Sequence, residues 1–349
     1  MGKTIVGIDI SADRLRAVEL GDASKARPML VRYHEVPLPA GAVNRGEVVE
    51  PRTVATAIKQ LWSAGGFTTK DVVLGIGNSR VLARDLTVPK MSLKRIRESL
   101  PFHVQEMLPF PAEDALLDFY PISETEGESG PMVNGLLVAA MKEAVLGNVT
   151  AVQLAGLNPV EVDLVPFALS RILLRGDRAL GTTAIIDVGG STTTVVVSSN
   201  GVPQFVRIIP TGGDDLTTAL ASRLGLPVAD AVALKHSTGL SLTPGTAEQH
   251  DAIAVMYEVT SELITSLRNT LTYFASARPG ELVSQVILTG SGAKLGGFAE
   301  ALSEFTRLPV SRGNPFDTID VSKRLDRNAL EQQGGSLVIA IGLALGSAA

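Results

Sequence analysis

The pattern of apolar and polar positions divides the 349-residue chain into recognisable units. Residues 3–20 hold two apolar stretches, Ile5-Val6-Gly7-Ile8 and 15–20, separated by the polar tip Ser11-Ala12-Asp13-Arg14. That arrangement predicts a β-hairpin. The same design returns about halfway along, where runs at 184–197 and 203–209 are joined by the tight-turn dipeptide Asn200-Gly201. Two domains of related design are expected, rather than a tandem array.

Helical periods lie between and after the hairpins. Pro51 suits a first turn, and Val54, Ala57, Ile58, Leu61 and Trp62 follow at i, i+3, i+4, i+7 and i+8 before Gly65-Gly66 ends the helix. Residues 72–76 read as a short buried strand. The block 81–155 then reads as a strand (81–88), a helix (93–108, interrupted by Pro101), two strands (115–122 and 135–141) and a helix (143–155). This predicts a compact α+β insertion, with the acidic, glycine-containing stretch 123–130 as a solvated loop. Downstream, helices are predicted over 214–224, 228–236 and 251–277. Ile264, Leu267, Leu271 and Phe274 form a core stripe on the longest of them. A strand at 286–289 ends in Gly290-Ser291-Gly292. One more helix, a turn region over 309–315 and an apolar run at 337–345 complete the pattern.

Composition narrows the function classes. With 45% apolar and 19% charged residues, the chain fits a soluble globular α/β protein. Its net charge of −5 gives no electrostatic reason to expect nucleic acid or an anionic membrane face as partner. Cysteine is absent, which excludes disulfides, thiolate catalysis and cysteine-based metal sites. His34, His103, His236 and His250 are scattered, with no pair at metal-ligand spacing. The apolar run 337–345 is far short of the ~20 residues a membrane-crossing helix needs, so it is expected to be a buried helix. No secretory signal is expected either. Without one, the glycosylation-like Asn148-Val149-Thr150 carries no meaning.

Three loops carry the candidate chemistry, each after an apolar strand: Gly7-Ile8-Asp9-Ile10-Ser11, Asp187-Val188-Gly189-Gly190-Ser191-Thr192-Thr193 and Thr289-Gly290-Ser291-Gly292-Ala293. Taken singly, a glycine after a strand is usually only a turn. Together they predict more. Two hairpin tips, each with an acid just before it, can face one another across a cleft and cradle phosphate oxygens on backbone N–H groups. Serine and threonine hydroxyls add donors. Asp9 and Asp187 would then hold Mg²⁺ through its water shell. The third loop, which has no acid, suits a ribose or α-phosphate. Rival phosphate motifs are missing: there is neither a Walker sequence nor a G-x-G-x-x-G opening a helix after a strand.

The order of these motifs resembles the actin/Hsp70/FtsA superfamily. Residues 7–11 resemble its first phosphate loop and 187–193 its second. Gly212-Gly213-Asp214-Asp215 is similar to the turn after the second hairpin, Lys235 to the lysine beside the adenine, and Gly290-Ser291-Gly292-Ala293 to the adenosine loop. Within the superfamily the resemblance is greatest to the PilM family of type IV pilus assembly proteins. It is carried by Ala17-Val18-Glu19-Leu20, Glu106-Met107-Leu108-Pro109-Phe110-Pro111, Leu117-Asp118-Phe119-Tyr120, Pro166-Phe167-Ala168-Leu169 and Asn314-Pro315-Phe316. Pro109-Phe110-Pro111 is the most specific element, because actins and chaperones lack the insertion that holds it.

The resemblance implies an α/β, actin/Hsp70-like two-domain nucleotide-binding fold with a small α+β insertion subdomain. Residues 1–80 and 156–180 would form the first actin-like domain, 81–155 the insertion and 181–349 the second domain, its last helix returning towards the first. ATP or ADP, with Mg²⁺ on Asp9 and Asp187, would contact Asp9, Ser11, Asp187, Gly189, Gly190, Ser191, Thr192, Gly212, Gly213, Lys235, Gly290, Ser291, Gly292 and Ala293. The implied role is a cytoplasmic adaptor, peripheral to the inner membrane through protein partners. It would capture the cytoplasmic N-terminal peptide of PilN in the groove between the first domain and its insertion. Pilus motor ATPases, the platform protein and a second copy of the chain are further implied partners.

Departures from the pattern bear on the chemistry. Ser11 and Ala12 stand where glycine and serine usually follow the first acid. Val165 precedes Pro166 where related ATPases place an acid or glutamine to orient the attacking water, and Val232 replaces an acid three positions before Lys235. A side chain without a hydrogen-bonding atom cannot activate water. Nucleotide binding with weak or absent hydrolysis is therefore expected. Two alternatives stand beside this reading. One is an actin-like ATPase or sugar-type kinase, for which Asp163 is the nearest candidate acid. The other is an FtsA-like filament protein. The chain ends at Gly346-Ser347-Ala348-Ala349 with no basic amphipathic tail, so membrane association is expected to be indirect.

Overall fold

A computed structural model describes residues 4–128, 130–240 and 245–346. Lys3 of the first hairpin, Ser129 of the expected loop and residues 347–349 of the chain end lie outside the described residues. Strand β1 (Ile5–Ile10) pairs antiparallel with β2 (Arg14–Gly21), as the alternation predicts. Strand β3 (Met29–Pro37) adds to β2. A miniature hairpin, β4 (Val43–Asn44) and β5 (Glu47–Val48), leads into α1 (Pro51–Gly65), which Gly66 ends in a left-handed conformation. Strand β6 (Asp71–Ile76) returns parallel to β1.

The insertion follows: β7 (Val81–Pro89), α2 (Leu93–His103), β8 (Ala115–Gly127) and β9 (Gly130–Met141), its sheet ordered β7-β9-β8. Two expectations are corrected here. The helix stops at His103 rather than 108, because Pro101 withdraws an N–H from its last turn. Of the stretch 123–130, residues 123–127 and Gly130 are not a loop but the end of a ribbon, with Glu124 opposite Val133 and Thr125 opposite Met132. Its mostly exposed side chains give a paired backbone the composition of a loop.

Helix α3 (Lys142–Leu154), β10 (Asn158–Leu164) and α4 (Val165–Leu173) lead to the second hairpin. There β11 (Thr182–Val188), β12 (Thr193–Ser199) and β13 (Val202–Ile209) form an antiparallel meander, turning at Asn200-Gly201 with both residues at positive φ. Helices α5 (Gly213–Leu224), α6 (Val228–Thr238) and α7 (Ala247–Ala277) precede β14 (Gln285–Thr289), α8 (Phe298–Thr306), β15 (Val310–Arg312), β16 (Asp320–Val321) and α9 (Arg327–Ala344). The expected turn over 309–315 thus contains a short strand, β15, parallel to β14.

Two mixed sheets result, β10-β6-β1-β2-β3-β16 and β13-β12-β11-β14-β15. Helices α1 and α3 cover one face of the first sheet, and α5 to α8 cover the outer face of the second. Between the sheets lie α4 and α9, whose Leu169, Ile172, Leu337 and Ile341 share a core with Val18, Leu20, Ile185 and Val196. The helices approach almost backbone to backbone. A Cβ on Gly7 would sit 2.1 Å from the Ala340 carbonyl oxygen, and one on Gly342 would sit 2.2 Å from that of Ala168. Gly7 therefore serves the seating of α9 rather than a ligand. The apolar run at 337–345 is the buried end of this helix. No helix among the described residues is long and apolar enough to cross a membrane.

Candidate functional site

Strands β1, β11 and β14 end at the same place, so the tips of both hairpins and the loop after β14 line one cleft. A cavity of about 160 Å³ lies between the tips, and a second of about 410 Å³ extends under α5 and α6. They share Asp13, Gly190, Asp214 and Ser291. Asp9, Ser11, Asp187, Gly189, Gly190, Ser191, Thr192, Gly290 and Ser291 line the first cavity. Gly212, Gly213, Lys235 and Gly292 line the second. Ala293 lines neither: it is buried in the core behind the loop.

The glycines pack the loops against one another. Gly213 N–H donates to the Gly189 carbonyl at 2.9 Å, and Asp214 N–H to that of Gly190 at 2.8 Å. A Cβ on Gly212 would meet the Gly190 carbonyl oxygen at 2.3 Å. One on Gly290, at φ +94°, would meet the Val188 carbonyl oxygen at 2.3 Å. Interlocked in this way, the second tip keeps donors free. Among the described residues, the backbone N–H groups of Gly190, Ser191 and Thr192 bond to no protein group, nor do those of Ala12 and Asp13 at the first tip. Successive unbonded N–H groups in a tight turn make an anion-binding concavity. Ser11 contributes less than expected: its hydroxyl donates to the Arg14 carbonyl at 2.9 Å, closing its own tip. Lys235 donates to the Gly213 carbonyl (2.9 Å) and Thr217 Oγ1 (2.7 Å), pinning α6 to the first turn of α5. Burial lowers its pKa, against the pull of Asp214.

The two acids stand in unlike surroundings. Across the first hairpin Asp9 is opposite Arg16, and across the second Asp187 is opposite Thr194. Arg16 Nη1 lies 3.3 Å from Asp9 Oδ2 and 3.3 Å from Ser11 Oγ, and its Nε lies 3.3 Å from Glu35 Oε2. Burial still holds the Asp9 carboxyl above its usual range, although the Arg16 guanidinium pulls it down. Asp187 is 6% exposed, and among the described residues its carboxylate has no hydrogen-bond or ion-pair partner. Burial, and then the nearby Asp9 charge, push its pKa up to about 7. Among the described residues no three acidic or histidine side chains are grouped to hold a metal. The donor set fits only a cation that keeps most of its water, with Asp187 the available carboxylate.

Several residues of this cleft escaped the sequence reading. Arg16 lines the first cavity, Asp13 lines both, and Thr260 lines the second; Asp214, named in the sequence only as part of a turn motif, also lines both. Arg16 had a readable signal, since it follows Asp9 by the same seven positions that separate Thr194 from Asp187. Arg45, at φ +48° in the turn between β4 and β5, reaches across the cleft mouth. Its guanidinium donates to the Pro210 carbonyl at 2.8 Å and lies 3.3 Å from Asp215 Oδ1. Asp163 lines neither cavity. It pairs with Arg171 at 2.8 Å, and Arg171 also donates to the Gly342 carbonyl, strapping β10, α4 and α9 together. Val165 fills the space beside Gly75 and Gly77 in the first cavity, and Val232 forms part of the wall of the second.

A family model described as type IV pilus assembly protein PilM matches residues 7–348. The chain belongs to the PilM family. A solved PilM–PilN type IV pilus biogenesis complex contains a chain 30% identical to this one, covering 98% of this chain and 97% of that one, with a TM-score of 0.84. The cell division protein FtsA of Pseudomonas aeruginosa is 23% identical, over 97% of this chain and 89% of FtsA. MreB5 of Spiroplasma citri, solved bound to AMPPNP, shares the fold at 12% identity, covering 91% of this chain and 93% of MreB5 with a TM-score of 0.53. The architecture is that of the actin/Hsp70 class. PilM-family membership makes this chain a type IV pilus assembly protein.

Proposed function

We propose that this protein is a cytoplasmic ATP-binding adaptor of the type IV pilus inner-membrane assembly platform, and that it holds the cytoplasmic tail of PilN. The observation that carries the nucleotide half is the facing of two hairpin tips with unbonded N–H groups across one cleft. Phosphate oxygens suit those N–H groups, and Arg16 adds a fixed positive charge beside the first tip. The larger, mostly apolar second cavity suits a base. Mg²⁺ carried on Asp187, with Asp9 beside it, would neutralise phosphate charge through its waters. Val165 offers no atom to orient water, which supports slow hydrolysis or none.

On this reading residues 1–80 and 156–180 form the first actin-like domain, 81–155 the insertion and 181–349 the second domain. A ligand gripping both tips favours the closed arrangement of the domains and so biases the partner surface. The likeness to a chain from a PilM–PilN complex supports the partner half. An extended PilN tail would use a strand edge and apolar pockets between the first domain and the insertion. Association with the membrane would then be indirect.

Calorimetric titration of the full chain with ATP–Mg²⁺ and with a PilN tail peptide tests both halves. Saturable binding of each is expected, with the peptide affinity changed by nucleotide and ATP turnover near background. Failure of ATP to bind removes the nucleotide half. Equal peptide affinity with and without nucleotide removes the coupling.

A further inference from the structure

On the domain division proposed above, the insertion belongs by chain order to the first domain, yet it also packs against the second. Strand β13 lies between the insertion and α7. On one side Phe205 meets the rings of Tyr273 and Phe274 of α7 at 5.9 and 6.1 Å, and Arg207 Nη1 donates to Thr270 Oγ1 at 3.0 Å. On the other side Val206 shares a core with Leu136 of β9, and Ile208 packs against the cluster that holds Val81, Val138 and Ala140. Arg278, which caps the C-terminal end of α7, completes the attachment. It pairs with Asp85 of β7 at 2.8 Å, is itself only 20% exposed, and lies over the Phe274 ring at 5.4 Å.

Both α7 and β13 reach the cleft. Leu263 of α7 is a wall of the second cavity, and neither glycine nor proline interrupts the helix from there to Arg278, roughly 22 Å along its axis. Strand β13 runs into Gly212, which packs on the Gly190 carbonyl of the second tip. Beside it the Thr211 carbonyl accepts the Thr193 hydroxyl at 2.7 Å. The first domain holds the insertion elsewhere. At the base, Val81 and Ala140 meet Ile76 and Leu164, and the Tyr120 ring lies 4.7 Å from that of Phe167 in α4. A body fixed at its base to one domain and along its β7 edge to another turns when the two domains move.

We propose that the insertion moves with the second domain. Helix α7 and strand β13 hold it as one body, and the Arg278–Asp85 pair is the latch on its β7 edge. Closure of the cleft then swings the insertion against the first domain and resizes the groove between them. This rests on the nucleotide reading above and names the route by which the cleft regulates the partner groove.

The chain has no cysteine, so spin labels can be placed in pairs on the full chain. Glu126→Cys marks the insertion, Lys59→Cys the first domain and Glu304→Cys the second, all three on exposed residues. ATP–Mg²⁺ should shift the 126–59 distance by more than its spread and leave the 126–304 distance in place. Adding Arg278→Glu, which sets two carboxylates against each other, should shrink the 126–59 shift and broaden the 126–304 distribution. Asp85→Arg together with Arg278→Glu should restore both. A fixed 126–59 distance with a shifting 126–304 distance overturns the proposal, because the insertion then rides with the first domain. An undiminished shift in Arg278→Glu overturns the latch. If calorimetry shows that ATP binds but neither distance changes, the proposal fails while the nucleotide reading stands. If ATP does not bind, the nucleotide reading falls and the proposal with it.

Discussion

The two hairpin tips share one plan and differ in the residue that stands opposite the acid. In each, an antiparallel pair places an acid at the end of its first strand, and a parallel strand flanks it, β6 beside β1 and β14 beside β11. Opposite Asp9 stands Arg16, and opposite Asp187 stands Thr194. That single difference sets the electrostatics of the cleft. The first tip carries its own counter-ion, so its carboxylate is partly compensated inside the protein. The second tip leaves its carboxylate alone at similar burial, and Asp187 titrates near neutrality. A buried acid without a partner is where an external cation has most to offer. In an otherwise repeated design, one tip is electrostatically closed and the other open.

Making the first tip like the second should have the largest effect. Arg16→Thr leaves Asp9 without its guanidinium and Glu35 with only that of Arg14. Breaking a buried ion pair from one side costs about 3–5 kcal/mol. Urea unfolding at pH 8, without nucleotide, should show a loss of that order. At pH 5 the loss should shrink, because the orphaned Asp9 can take a proton. Adding Asp9→Asn to the variant should recover much of the stability, which a purely steric defect would not allow.

The opposite change, Asp187→Asn, should stabilise. The Asp187 carboxyl titrates near 3.9 in an unfolded chain and at about 7 in the folded protein. Between those values the folded state holds a proton that the unfolded state has released, so stability falls as pH rises through the window. The neutral variant lacks this penalty. Its advantage should be near zero at pH 4 and reach roughly 2–4 kcal/mol above pH 7. Equal stabilities at pH 8 would show that Asp187 is compensated after all. A smaller effect follows on the ligand side: Mg²⁺ should tighten ATP binding to the parent by about tenfold, or ~1.4 kcal/mol. In Asp187→Asn, Mg²⁺ should make little difference.

Which parts of this were readable from residues alone follows from the range of the interactions. Both hairpins declare themselves through alternation and turn dipeptides, which are local. The glycines of the second and third loops were found, but part of their role was not. Gly212 and Gly290 are required where loops from different parts of the chain touch, and no local spacing reports that. Strands β3 and β10 went unread. The first is only half-buried through its middle, and the second alternates weakly at a sheet edge. The ribbon at the end of β8 was read as a loop because pairing there buries almost nothing. Arg16 is legible as a counter-ion only through the register of the hairpin, which sets it opposite Asp9. Thr260 belongs to a cavity made by three helices and carries no signal in its own neighbourhood.

The last comparison concerns what joins the tips rather than what separates them. Arg45 sits at positive φ in a two-residue turn whose neighbour, Gly46, lines the first cavity. Its guanidinium crosses to the Pro210 carbonyl and to Asp215, whose other oxygen accepts the Gly212 N–H at 2.7 Å. One exposed side chain thus ties the turn between β4 and β5 to the turn that interlocks with the second tip. Exposed ion pairs contribute at most about 1 kcal/mol, and asparagine suits this turn position better than arginine. Arg45→Asn should therefore leave global stability within about 1 kcal/mol. Its effect should be local. Amide exchange should quicken at residues 212–216 and 43–48 and stay unchanged in β1 and β11. If exchange at 212–216 does not respond, Arg45 is an ordinary surface arginine, and the two tips are held in place by α4 and α9 alone.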